Sequence, residues 1–137
     1  MTAAHSPIRC LLGMLGTDVH TKGIRTLAQL LRDAGVEVIY LGEHNTVEGM
    51  VSALIAEDAD IVGVSFSSAA YVHYLAQLTT LMKQKGVGGI PLMVGGLVHA
   101  EDHEQLRQMG IQGIFGPGSQ LQDIIAYIQR ATGKKLG

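Results

Sequence analysis

Apolar residues fall along this chain in two alternating rhythms. Five short runs rich in aliphatic and β-branched residues, at 8–13, 36–41, 61–65, 91–94 and 113–115, read as strands. Between them the period becomes helical. Residues 23–34 place Ile24, Leu27, Ala28, Leu30 and Leu31 on one broad stripe and stop at Gly35, a C-terminal helix signal. Residues 46–56 open on Thr46 and Glu48 and carry Met50, Val51, Leu54 and Ile55. Residues 70–85 stop at Gly86 and 101–109 at Gly110, and 121–131 close the series ahead of a lysine-rich tail expected to be solvated.

Strict alternation of strand and helix predicts a parallel sheet, because parallel neighbours need a crossover between them. The strands are almost continuously apolar, as strands covered on both faces are. The expected fold is therefore α/β: a flavodoxin-like, doubly wound, five-stranded parallel sheet with helices on both faces. One domain is expected at 8–132, with tails at 1–7 and 133–137. In such a sheet, ligands bind beyond the carboxyl ends of the strands, at the topological switch point.

The segments after the five strands are thus the informative ones. They read "GTDVHTKG", "GEHNT", "SFSSAA", "GGLVH" and "GPGS". Glycine, serine and threonine dominate, and residues without bulk let a large ligand lie close to the backbone. Tight turns between elements would favour the same composition.

Composition narrows the partners. The 137 residues are 47% hydrophobic and 16% charged, and the net charge of -2 offers no electrostatic footprint for nucleic acid or an anionic membrane. No apolar run approaches the roughly 20 residues of a membrane helix. The opening "MTAAHSPIR" has no signal-like apolar stretch, so a cytoplasmic location is expected. Cys10, the only cysteine, lies inside an apolar run and reads as a core residue.

Several chemistries lack their motifs. There is no G-x-x-x-x-G-K-[ST], and no G-x-G-x-x-G after the first strand. The stretch "GVSFSS" is not a G-x-S-x-G nucleophile elbow, so Ser65 and Ser67 read as ligand-lining hydroxyls or turn formers. His99 and His103 stand four apart, a spacing that suits zinc on a helix, but no third ligand accompanies them and His99 precedes the expected helix. A flavin site would want aromatic residues near the sheet edge, and the chain has only six.

Asp18 and His20 remain. Either Thr17 or Asp18 caps the following helix and His20 sits exposed in its first turn, or the pair is a metal ligand and its orienting carboxylate. A ligating histidine usually donates its other ring N–H to such a carboxylate, which fixes the tautomer and raises basicity. Residues two apart diverge on a helix, so the second reading needs both in a loop.

On these residues the chain resembles the cobalamin-binding domain family. The hallmark Asp-x-His-x-x-Gly is matched by Asp18, His20 and Gly23; Ser-x-Leu is matched in part by Ser65-Phe66-Ser67; and Gly-Gly is Gly95-Gly96. The likeness extends over about residues 8–130. "LRDAGVEVIYLG", "EDADIVGVS" and "IFGPGS" are similar to the cobalamin domain of methylmalonyl-CoA mutase and its relatives, and "LGMLGTDVH" to the small subunit of glutamate mutase.

The resemblance implies that His20 is the lower axial cobalt ligand, oriented by Asp18, in place of the cofactor's own dimethylbenzimidazole. It implies that Ser65, Ser67, Gly95 and Gly96 line a slot for the displaced nucleotide tail. Phe115, Gly116 and Ser119 would stand near its base, and Thr17, Val19, Thr21, Lys22 and Leu27 would frame the corrin and tail. Two positions depart from the family: Ser67 replaces its leucine, and Met14 replaces a lysine common in acyl-CoA mutases. The implied function is the cobalamin-binding small subunit of an adenosylcobalamin-dependent carbon-skeleton mutase (isomerase). It would be inactive alone and would form a hetero-oligomer with a large substrate-binding subunit that holds an acyl-CoA. A corrinoid carrier for methyl transfer, a glutamate-mutase-type subunit and a non-enzymatic cobalamin sensor share the same motifs.

Overall fold

A computed structural model of the chain describes residues 7–16, 22–66, 69–116 and 118–136. The elements alternate as expected: β1 (Arg9–Leu15), α1 (Lys22–Asp33), β2 (Glu37–Asn45), α2 (Val47–Ala56), β3 (Ile61–Phe66), α3 (Tyr71–Gln84), β4 (Leu92–Gly96), α4 (His103–Gln108), β5 (Gly113–Phe115) and α5 (Leu121–Thr132). A 3-10 turn at Ala100–Asp102 precedes α4.

All five strands run parallel, in the order β2-β1-β3-β4-β5. The chain winds from β1 outward to β2, then crosses back to β3 and continues the other way. The switch point therefore lies between the carboxyl ends of β1 and β3, where Gly13 is level with Val64.

Alternation along each strand divides the core in two. Leu11, Leu15, Val62, Val64, Phe66 and Val94 pack under α2, α3 and Leu106 of α4. Cys10, Leu12, Met14, Ile61 and Met93 pack under Ile24, Ala28 and Leu31 of α1 and Ile124, Tyr127 and Ile128 of α5.

Local chemistry sets several boundaries. Thr46 caps α2 by accepting the Gly49 N–H at 2.9 Å. Gly133 ends α5 in the left-handed conformation, at φ 70. Lys134, on the tail expected to be solvated, forms an ion pair with Asp60 at 3.0 Å, and the Leu136 N–H donates to the Gln129 side chain at 2.8 Å.

Three expectations need correction. β2 does not stop at Leu41 but runs on to Asn45, so "GEHN" is strand rather than a ligand loop. Register shifts against β1 between Leu12 and Gly13, and again between Gly13 and Leu15, absorb the extra residues. Gly95 and Gly96 likewise belong to β4, paired with Ser65 and Phe66. On α2, Ile55 is exposed while Val47, Met50, Val51 and Leu54 are buried; those four already fill one face at helical spacing, and Ile55 falls beyond its edge.

Candidate functional site: a glycine-walled cleft at the switch point

β3 presents two unlike faces. Val62, Val64 and Phe66 fill the side toward α2 and α3, whereas the side toward α1 and α5 carries Ile61, then Gly63, then Ser65. β4 continues the pattern on that same side, with Met93 followed by Gly95. Side-chain volume thus falls away toward the carboxyl end on one face only. The space left is a cleft of about 630 Å³ between α1 and α5, with the ends of β3, β4 and β5 as its floor.

The cleft is mainly apolar. Leu12 and Met93 form its deep end; Ile24, Leu27 and Leu30 of α1 face Phe115, Leu121 and Ile124 across it. Leu30 is 41% exposed, although it lies on the predicted apolar stripe of α1, because the cleft lies in front of it. Polar groups are few: Ser65, Thr26, Ser119 and Lys22, which alone among the lining residues is charged. The Phe115 ring is propped edge-on by Tyr127, with centroids 5.7 Å apart. Burial pushes the Tyr127 phenol up, against the opposing pull of a Gly113 hydrogen bond and Arg130, so this support is neutral.

The lining glycines are of two kinds. Gly63 and Gly96 are required by the protein itself. A Cβ at Gly63 would meet Leu12 and Met93, and one at Gly96, where φ is +88, would overlap the Phe66 carbonyl. At Gly118 the φ of +87 itself favours glycine. A Cβ at Gly23 or Gly116, by contrast, would meet no other atom of the described residues within 4 Å. Their missing side chains leave room in the cleft rather than permitting a close backbone contact.

Of the fifteen residues singled out from the sequence, nine line this one cleft: Lys22, Gly23, Leu27, Ser65, Gly95, Gly96, Phe115, Gly116 and Ser119. Thr17, Asp18, Val19, His20, Thr21 and Ser67 lie outside the described residues. The segment after β2 contributes nothing to the cleft, contrary to the reading that all five loops share it. Leu12, Thr26, Gly63, Met93 and Ile124 are among the lining residues that were missed. Gly63 was open to inference, since it alternates with Ile61 and Ser65 inside "IVGVSF".

His99 and His103 do not share a helix. His99 is extended ahead of the 3-10 turn and His103 opens α4. No cluster of three or more His, Cys, Asp or Glu side chains suited to a metal occurs among the described residues. The His99 N–H instead donates to the buried Tyr71 hydroxyl at 3.0 Å, and that hydroxyl donates to the Asp102 carboxylate. This pins the segment after Gly95 and Gly96 to α3. Burial and the bond to Asp102 both push the Tyr71 phenol up, so it stays protonated and able to donate.

With this geometry in place, comparison with known proteins is decisive. The model of the B12 binding domain family matches residues 8–126. The chain belongs to this family. Within it, the 2-hydroxyisobutanoyl-CoA mutase small subunit of Aquincola tertiaricarbonis is 36% identical over 124 residues, which cover 90% of this chain and 91% of that one. The pivalyl-CoA mutase small subunit of Xanthobacter autotrophicus is 34% identical over 134 residues, covering 97% and 88%. A cobalamin-binding protein from Desulfitobacterium hafniense superposes with a TM-score of 0.78 at 20% identity, over 91% of this chain and 59% of that one, a likeness of fold. The fit of a B12 binding domain to its cofactor can be judged on the cleft itself. An elongated, bulky group needs length, apolar walls and backbone without side chains, and the 630 Å³ slot with Gly23 and Gly116 facing open space offers all three.

Proposed function

We propose that this chain is the cobalamin-binding small subunit of an adenosylcobalamin-dependent acyl-CoA mutase, working with a separate large subunit that binds the substrate. The observation that carries this reading is the likeness to two mutase small subunits along nearly the full length of each, at 36% and 34% identity. A match confined to a shared domain of some larger protein would say less about role.

The chain's own residues divide the work. The cleft would hold the nucleotide tail of the cofactor: Gly63 and Gly95 keep its floor low, Ser65 and Ser119 offer hydroxyls, and Leu12, Met93 and Ile124 give it apolar walls. Lys22 stands at the first turn of α1, where the helix dipole also favours an anion such as the tail phosphate. His20 would hold the cobalt, and Asp18 would be the carboxylate that orients it and sets its tautomer. The bound cofactor supplies a cobalt–carbon bond that can split into radicals. Shielding those radicals falls to the surfaces that cover the carboxyl edge of the sheet, and the large subunit supplies the cover on the substrate side.

The test is reconstitution. The chain should take up one equivalent of adenosylcobalamin and confer acyl-CoA isomerisation on the large subunit of an acyl-CoA mutase. Methyl transfer from a methyl donor to the bound corrinoid, without any isomerisation, would overturn the assignment in favour of a methyl carrier.

A further inference from the structure

Asn45, at the far end of the overlong β2, lies outside the cleft yet holds the strand that leads into it. Its side-chain amide donates to the Met14 carbonyl at 2.9 Å and to the Gly42 carbonyl at 2.9 Å. Its own backbone carbonyl accepts the Gly16 N–H at 3.0 Å. On the other side of Gly16 stands Tyr74: at φ +74, a Cβ there would overlap the tyrosine phenol. Met14 and Gly16 therefore meet fixed partners just where β1 ends.

The backbone of β2 is bent to make this possible. Two register shifts separate Leu12 from Leu15, and Gly42 and His44 both take positive φ, 71 and 64. A left-handed histidine is an uncommon conformation that persists only where its surroundings hold it. Here it brings Asn45 level with Leu15. The residue type matters too: a carboxamide has two N–H donors, both are used, and an aspartate in the same place could donate neither.

Asp18 and His20 follow Gly16 by two and four residues. We propose that Asn45 is a positioning residue for the cobalt ligand, its amide fixing the point from which the segment carrying Asp18 and His20 leaves the sheet. The inference rests on the reading of His20 as that ligand, and its consequence is that Asn45 governs ligation without touching the cofactor.

Two readouts on the full-length chain test it. The first is amide exchange without cofactor. Asn45→Ala should speed exchange at Leu15 and Gly16 by about tenfold or more while Val62, Gly63 and Val64 stay protected. Unchanged exchange at Gly16, or equal loss across β3, overturns the proposal. The second is the absorbance of bound adenosylcobalamin. Asn45→Ala should retain the corrinoid but lose most of the histidine-on form, with a thermal midpoint near wild type; a wild-type spectrum overturns the proposal. Asn45→Ser carries both readouts if the alanine variant does not fold. If wild type itself shows no histidine-on spectrum, the reading of His20 fails, and the exchange experiment alone still decides whether Asn45 is the clamp.

Discussion

Gly63 stands level with Leu12 on the neighbouring strand, and a Cβ on the glycine would stand 2.6 Å from Leu12 Cδ2 and 3.0 Å from Met93 Cε. The shape of the cleft depends on this gap, because Leu12, Gly63 and Met93 all line it. Gly63→Val should therefore both strain the core and fill the slot. We expect a loss of about 1–3 kcal/mol of stability by urea unfolding. Adenosylcobalamin should bind at least about tenfold more weakly by equilibrium titration. Wild-type affinity in the variant would mean the cofactor does not reach Gly63.

Gly23 separates cofactor room from protein packing. It lies in the first turn of α1, and a side chain there meets no other atom of the described residues within 4 Å. Replacing a helical glycine by alanine favours folding by up to about 1 kcal/mol. Gly23→Ala should raise the thermal midpoint slightly and weaken corrinoid binding, opposite signs for one substitution. Gly116→Val should likewise fold normally and bind poorly. Calorimetric melts beside a cofactor titration would show the two effects together.

Cys10 supplies the pH dependence. It is fully buried, and burial pushes its thiol from 9.0 up to about 12. In the unfolded chain the thiol ionises near its ordinary value, whereas in the fold it remains protonated. The native state therefore holds more protons between those two pH values, and stability falls as pH rises from about 9 toward 12, with no contribution from Cys10 below that window. Urea midpoints for wild type and Cys10→Ala should run parallel from pH 6 to 8 and converge above pH 9. A thiol reagent at pH 8 should label Cys10 only at the rate of unfolding.

Much of this was legible in the sequence, for definite reasons. Element order followed from aliphatic runs punctuated by Gly35, Gly86 and Gly110, all of which adopt positive φ where their helices end. Nine cleft residues were named on the likeness to the cobalamin-binding family, and those that follow strands, such as Ser65, Gly116 and Ser119, stand where a doubly wound sheet brings loops to one edge. The extension of β2 was hidden because "GEHN" has the composition of a turn; its strand character comes from pairing with β1 across two register shifts, reinforced by Asn45 reaching the Met14 carbonyl, tertiary contacts with no local signal. The Tyr71–Asp102–His99 tie was equally silent, since each residue by itself reads as an ordinary helix or loop position.

The most direct measurement is the absorbance spectrum of adenosylcobalamin bound to wild type and to His20→Ala. The account predicts a form with the benzimidazole displaced and a histidine on cobalt for wild type. It also predicts that the alanine variant loses this form while its fold, followed by circular dichroism, is unchanged. Identical spectra for the two proteins would contradict it.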